Sequence, residues 1–314
     1  MMKFRSLFLV LTALLFTLNA CKKDEDEQVV IQPNPTISEL GANDETARME
    51  YDKSLNEIFD ALNNTGIQTG RASSPQSGVI LPCGVIKLDS TSIPGVYKFV
   101  YDSTCGVRVL SGSISARLSS GPWNQQGAML ELTFTNYRVL YTKNNQTLEF
   151  NGPIRIENAL GGTLFDVVNP LNPQTSINHK ISGSIDITFD FGDTRRWRIR
   201  KQRTFEADAN SNSGFAFKLD KDSLVAEVGT TRNGDPFTAD FTSPLIYRAC
   251  GPNNLTYIAM EGVLVYRTPT ESATAEAGYK LVSGQPVLDG DCGSAGYKLT
   301  YTVLGQTLTA FQYY

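Results

Sequence analysis

The sequence predicts an all-β fold: an antiparallel, sandwich-like body, either one large sandwich or two related ones, with one N-terminal helix. Three observations carry this. From Leu81 to Tyr314 the apolar residues recur with period two. Turn-forming clusters interrupt that pattern often enough for about a dozen or more short strands. A helical period appears once, before residue 66.

The helix is expected over residues 43–66. Tyr51, Leu55, Ile58, Phe59 and Leu62 fall at i, i+4, i+7, i+8 and i+11, one apolar stripe. Asn43 is the expected N-cap, with Asp44 and Glu45 in the first turn. Asn63-Asn64-Thr65-Gly66 supplies the stop. A polar linker over 67–80 leads to the β-rich body at 81–314.

In that body Ile181, Ile185, Ile187 and Phe189 alternate with Ser182, Ser184, Asp186 and Thr188. Leu110, Ile114, Ala116 and Leu118 do the same against Ser111, Ser113, Ser115 and Arg117. Strands with one wet face belong to antiparallel sheets. The run Leu130, Leu132, Phe134 changes phase to Tyr137, Val139, Tyr141, which predicts a bulge near Asn136. Ser111-Gly112-Ser113-Ile114 is echoed by Ser182-Gly183-Ser184-Ile185, which raises two related halves divided near 165–180.

The N-terminus carries targeting information. Lys3 and Arg5 precede an apolar stretch, Leu7 to Leu18, too short to span a bilayer comfortably. The stretch ends in Leu18-Asn19-Ala20-Cys21. This resembles the lipobox of bacterial lipoproteins, in which 1–20 is a signal peptide and Cys21 becomes the acylated first residue. Lys22-Lys23-Asp24-Glu25-Asp26-Glu27 then opens an acidic flexible tether over 21–42. It resembles the export signal of Bacteroidota surface lipoproteins, which implies an outer-membrane protein facing the cell exterior.

The mature chain would have 294 residues, ample for a sizeable core. Loss of Lys3 and Arg5 leaves 26 basic against 32 acidic residues, a net charge of −6. That balance argues against general nucleic-acid binding. Cys83, Cys105, Cys250 and Cys292 remain after Cys21, an even number that suggests two disulfides in an exported protein. Three connectivities are open, and pairing of sequence neighbours, Cys83–Cys105 and Cys250–Cys292, is favoured. With no CxxC pair and one His, a zinc site is not expected.

Further stretches carry a family resemblance: Leu132-Thr133-Phe134-Thr135-Asn136-Tyr137, Arg196-Trp197-Arg198, Thr231-Arg232-Asn233-Gly234 leading to Pro244-Leu245, and Leu288-Asp289-Gly290-Asp291-Cys292. In that order they resemble an uncharacterised family of Bacteroidota lipoproteins. The resemblance implies a β-rich exported lipoprotein and supplies no catalytic residues.

Signals for chemistry are sparse. No GxSxG, HExxH or Walker loop appears, and the single His, His179, reads as a surface loop residue just before a strand. No catalytic residue, cofactor or metal is therefore assigned. Asp186, Asp190 and Asp193 keep a carboxylate-dependent glycoside hydrolase open as a minor alternative. Asp289 with Asp291, and Asp220 with Asp222, lack the ligand count of a calcium loop.

Trp123, in a Gly-Pro-Trp-Asn loop, is a candidate for stacking on a sugar ring. In Arg195–Arg203 the alternation sends Arg196, Arg198 and Arg200 to one face and Trp197 and Ile199 to the other. That gives a positive stripe able to pair with Asp186 and Asp190 or to hold an anionic polysaccharide. The expected role is a lipid-anchored surface protein that binds or supports rather than catalyses. Its alternative is a glycan-binding accessory of an outer-membrane nutrient importer.

Overall fold

The structure is a computed structural model describing residues 35–64, 81–169, 171, 174–250, 256–303 and 306–313. The signal peptide, Cys21, the tether up to residue 34 and the linker 67–80 lie outside the described residues. The all-β, antiparallel body with one long N-terminal helix is as expected. The strands are β1 (Val85–Asp89), β2 (Val96–Cys105), β3 (Arg108–Ser120), β4 (Ala128–Tyr141) and β5 (Thr147–Asn158). After a short helix α2 (Leu164–Val168) come β6 (Ser176–Phe189), β7 (Thr194–Ala207), β8 (Phe215–Lys221), β9 (Glu227–Thr230) and β10 (Pro236–Cys250). The chain ends with β11 (Thr256–Arg267), β12 (Ser272–Val282), β13 (Gln285–Leu288), β14 (Gly296–Val303) and β15 (Gln306–Tyr313).

These strands form one antiparallel sheet in near-sequential order, with β9 pairing β7 and β10 and β13 pairing β12 off the main path. The suggested division near 165–180 falls on the β5–β6 connection, and those two strands pair directly, so the sheet runs through it. One lane is shared. β8 covers Lys201–Ala207 of β7, while β9 covers Trp197–Ile199, and both also pair with β10.

The long helix, α1, runs Pro35–Asn64. It starts eight residues before the expected Asn43, within the stretch assigned to the tether. Proline is well suited to the first helical position, and Gly41 is the only poor helix former before Asn43. The predicted stripe is fully used: Tyr51, Leu55, Ile58, Phe59 and Leu62 are all buried.

The contacts of α1 show that the sheet curls around it. Arg48 reaches Tyr266 on β11, while Glu50, two residues on, reaches Arg108 on β3 and Tyr141 at the end of β4. Residues i and i+2 of a helix point to nearly opposite sides and are about 3 Å apart along the axis. In a flat sheet, β3 and β11 would be seven strand spacings apart, about 34 Å. Both can meet one helical turn only if the sheet bends around the helix and its two halves face each other across it.

The outward faces carry Lys98, Arg117, Arg138, Arg155 and Lys180, all exposed. These exposed charges sit where a membrane barrel would present its apolar lipid-facing band. Among the described residues no helix is long and apolar enough to cross a membrane.

The predicted irregularity at Asn136 is present. The β3–β4 register shifts between Ser111 and Ser113, and the β4–β5 register shifts between Phe134 and Tyr137. Asn136 has φ +47° and faces Gly112, at φ +87°. A Cβ on Gly112 would lie 1.9 Å from the Asn136 carbonyl oxygen. Gly183 in the echoed motif also meets neighbouring backbone, the Pro153 carbonyl oxygen. The repeated Ser-Gly-Ser-Ile thus marks two places where strands approach closely.

Both disulfides follow the favoured pairing, Cys83–Cys105 and Cys250–Cys292, each with Cα atoms 5.6 Å apart. The first ties the segment before β1 to the end of β2. The second joins β10 to the segment before β14.

Two outcomes follow for stability. Gly112→Ala is expected to lose about 2 kcal/mol or more, because both its φ and its space exclude a Cβ. Chemical denaturation should read this as a lower midpoint with an unchanged slope. Cys250→Ala with Cys292→Ala should cost about 3–4 kcal/mol, since the bridge closes a 42-residue span. An unchanged midpoint in either variant would contradict the assignment.

Candidate functional site

Strand β7 brings the unusual residues inside. Its burial alternates strictly from Thr194 to Arg203, so Arg196, Arg198 and Arg200 face out as predicted. The same alternation sends Arg195, Lys201 and Arg203 inward beside Trp197 and Ile199, and all three are buried. The parity was readable in the sequence. A run this basic reads first as solvated surface, which is why its inward cations were not picked out.

Outside, Arg196 grips Asp186 through two hydrogen bonds, Nε to Oδ1 at 2.8 Å and Nη2 to Oδ2 at 3.2 Å. Arg198 and Arg200 stand opposite Ser184 and Ser182 in the ladder. The expected partner Asp190 instead accepts the backbone N–H of Thr147, and Asp193 pairs with Arg232 at 2.8 Å. The three aspartates are thus each engaged by a different partner. Asp289 likewise pairs with Lys280, and Asp222 with Lys180 at 3.8 Å.

Inside, the centre is Glu227 at the start of β9, where the shared lane passes from β8 to β9. Its carboxylate takes Arg48 of α1 at 3.3 Å, Lys201 of β7 at 3.1 Å and the indole N–H of Trp197 at 2.9 Å. Burial alone would raise the Glu227 carboxyl, but the Arg48 guanidinium and Lys201 ammonium outweigh it and hold it well below the ordinary glutamate range. A second cluster lies toward β3: Arg108 contacts Glu50 and, at 3.6 Å, Glu57, while the Tyr141 hydroxyl donates to Glu50 at 2.7 Å.

Beside these clusters, toward the C-terminal end of α1, lies a cavity of about 870 Å³. Its wall is an aromatic ladder built by register. Phe205 of β7, Phe217 of β8 and Tyr247 of β10 are successive cross-strand partners, and the Phe217 and Tyr247 rings stack at 4.6 Å. Phe215 and Tyr257 extend it, with Tyr257 at 5.2 Å from Phe217. Phe59 of α1 and Trp123 close the other side, their rings 5.3 Å apart.

Trp123 is therefore not the exposed sugar-stacking aromatic that its loop suggested; it is 4% exposed. The physical reason is Asn158, wholly buried, whose Nδ2 donates to the Trp123 carbonyl at 2.8 Å and to the Gly162 carbonyl at 3.0 Å. This clip turns the Gly-Pro-Trp-Asn loop inward and joins it to the connection that leads into α2.

His179 corrects the sequence reading in the same way. It lies within β6, is 4% exposed, and is packed between Phe59, Trp123 and Phe205 with centroids 5.0–5.5 Å away. Its Nδ1 has no hydrogen-bond partner. Burial, reinforced by the nearby Arg203, lowers its pKa well below the ordinary value, so the ring is neutral. Arg203, its cross-strand partner, donates to Asn56 Oδ1 at 2.6 Å and lies over the rings of Phe59, Phe205 and Phe217.

Asp52 and Glu57 of α1 also line the cavity, and burial raises both carboxyls. Chemically the arrangement is an aromatic container with a neutral imidazole and a buried guanidinium in its wall. Among the described residues no cluster of three or more His, Cys, Asp or Glu is placed to hold a metal ion.

The fold and site together define a class: a curled all-β sheet enclosing a buried helix, with a preformed aromatic cavity beside it. Compared with known proteins, the chain matches no family model, no curated protein and no solved structure.

Replacing Glu227 by Gln removes the carboxylate that faces Arg48 and Lys201 and should cost about 3–5 kcal/mol at neutral pH. The carboxyl is depressed on folding, so its contribution is complete above the ordinary glutamate value of 4.5 and is lost as pH falls below it. Asp52 and Glu57 are raised and have the opposite sign, being relieved by acid; Glu227 is only the smallest of the causes that raise Asp52, so this relief is nearly the same in both proteins. The stability gap between wild type and Glu227→Gln, measured by denaturation across pH, should therefore be constant above about pH 5 and shrink below it. A gap that widens in acid would contradict the assignment.

Proposed function

We propose that this chain is a lipid-anchored protein of the outer-membrane surface that binds a small ligand in the aromatic cavity and does not catalyse its conversion. The observation that carries the binding reading is the cavity itself. Pockets for small ligands are typically preformed, of 300–1,000 Å³, mostly apolar, and furnished with a few placed polar groups. Here the volume lies in that range, and His179, Arg203 and Asn56 are the placed polar groups. Anchoring rests on Leu18-Asn19-Ala20-Cys21 and the acidic tether after it, and the membrane is the partner that a lipid on Cys21 supplies. The resemblance to exported Bacteroidota lipoproteins supports the same location.

This reading moves the ligand from the outside of the sheet to its inside. Sugar stacking on Trp123 as an exposed platform loses support from the burial of that ring. The outer stripe of Arg196, Arg198 and Arg200 lies on the face of β7 opposite the cavity and is no part of the proposed site.

Two experiments test the proposal. Cys21→Ala should leave the precursor unprocessed and free of lipid; processing and membrane attachment that persist in the variant would overturn the anchoring. Thermal unfolding in the presence of small apolar and amphiphilic compounds should yield at least one that raises Tm, as any ligand of the native state does. Ala295→Trp, which places an indole in the cavity wall, should abolish that rise. No stabilising compound, or one that acts equally on the variant, would overturn the cavity as the site.

A further inference from the structure

We infer that the outer face of β3–β7 is a second binding site, which holds a linear anionic polysaccharide carrying one acidic group per disaccharide. The site lies on the other side of the sheet from the cavity and does not rest on the function proposed for it. Three observations lead to it. First, the strand register gathers arginines distant in sequence into one row across the sheet. Arg117 of β3 stands opposite Glu131 of β4, Glu131 opposite Arg155 of β5, Arg155 opposite Ser182 of β6, and Ser182 opposite Arg200 of β7. The next row carries Ser115, Thr133 and Pro153, and then Ser184 opposite Arg198. All four arginines are exposed. The two rows thus hold four guanidinium groups and one carboxylate, on a chain whose formal net charge is −4.

Second, most of that positive charge is uncommitted. Among the described residues, the guanidinium groups of Arg117, Arg198 and Arg200 make no ion pair or hydrogen bond. Arg155 meets Glu131 at 3.4 Å, in a pair exposed enough to be worth little. The carboxylates flanking the rows are matched by other cations. Asp222, beside Arg200, pairs with Lys180, which also stands opposite Glu157, and Asp186 pairs with Arg196.

Third, the spacing and the floor fit a sugar chain. Arg117, Arg155 and Arg200 occupy every second strand, so successive cations are two strand spacings, or about 10 Å, apart. That is close to the length of a disaccharide unit in an extended polysaccharide. Between and beside them lie the short hydroxyl side chains Ser115, Thr133, Ser182 and Ser184, which can donate to and accept from sugar hydroxyls. The arginines rise above this floor, and their planar guanidinium groups suit the oxygen pair of a carboxylate or sulfate. The two rows present no aromatic ring on which a nucleobase could stack, and Pro153 is their one apolar side chain, which disfavours nucleic acid and a lipid surface as the occupant.

The test measures binding of hyaluronan oligosaccharides, a linear probe with one carboxylate per disaccharide. Chitin oligosaccharides, single-stranded DNA and phosphatidylglycerol vesicles serve as comparisons. The full chain carrying Cys21→Ala is used, so that no acyl chain enters the vesicles. Hyaluronan should bind at low salt, weaken steeply as salt is raised, and exceed the neutral chitin chain by about tenfold or more. Arg117→Ser with Arg200→Ser should weaken it about tenfold, the worth of two exposed charge contacts. Arg138→Ser with Arg267→Ser removes the same charge from exposed sites outside the rows and should stay within about twofold. Both double variants alter exposed side chains alone, so the fold should persist. Ala295→Trp, which fills the cavity, should leave hyaluronan binding unchanged. No binding at low salt, equal losses in the two double variants, or a loss in Ala295→Trp would overturn the outer site. Chitin bound as tightly as hyaluronan would overturn the need for an anion, and DNA or vesicles bound as tightly would overturn the polysaccharide as occupant.

Discussion

The structure depends on one buried electrostatic arrangement, the grip of Glu227 on Arg48 and Lys201. Two cations and one carboxylate, fully withdrawn from water, would be prohibitively costly apart and are tolerated together because their opposite charges meet. The arrangement spans three elements. Arg48 belongs to the helix, Lys201 to β7 and Glu227 to β9, so satisfying the charges fixes the helix against the inside of the sheet at one depth and rotation. Apolar packing of Tyr51, Leu55 and Ile58 drives the helix inward but is tolerant of small slides. The ion cluster is not, since a misplaced turn would leave a charge bare. Arg108 with Glu50 and Tyr141 repeats the device on the opposite flank.

A helix held this way props the sheet open. Two halves of a curled sheet packed directly on each other would fill the interior with side chains at about 10 Å separation. Here α1 fills the middle, and toward its C-terminal end Phe59 and Trp123 cover only one side of the remaining space. The other side is the aromatic ladder Phe205, Phe217 and Tyr247. The cavity is thus a geometric consequence of the helix's length and position, and its polar groups arrive from the same strands that carry the ion cluster. His179 and Arg203 are neighbours in the β6–β7 ladder, and Lys201 lies two residues along on the same inward face. Support and site share one strand, so the site is built on rigid structure.

The turns and closures around the cavity serve its shape. Asn158 directs Trp123 inward while fixing the loop at Gly161 and Gly162, and Gln174 donates to the Gly161 carbonyl at 2.8 Å. The Cys250–Cys292 bridge ties the end of β10 to the segment carrying Ser294 and Ala295, both on the cavity wall. A rim held by a covalent link and buried side-chain hydrogen bonds is a preorganised one, which lowers the ordering cost of binding.

The sequence by itself determined the class of fold, because period-two alternation over more than 200 residues has one economical solution, an antiparallel sheet with one wet face. It also placed the helical stripe, the bulge at Asn136 and the outward direction of Arg196, Arg198 and Arg200, and it favoured, among three open connectivities, the neighbour pairing of the four body cysteines. These are local properties, each set by spacing along the chain. What only the tertiary structure decided is what long-range contact decides: that the sheet curls around the helix, that Trp123 and His179 turn inward, and that Arg195, Lys201 and Arg203 can be buried. A single strand cannot show that its inward lysine meets a glutamate 26 residues later, nor that this glutamate is also held by an arginine 179 residues before it. Without those partners the same parity reads as a solvated stripe, because burying an unpaired charge is forbidden and the pairing lies elsewhere in the chain.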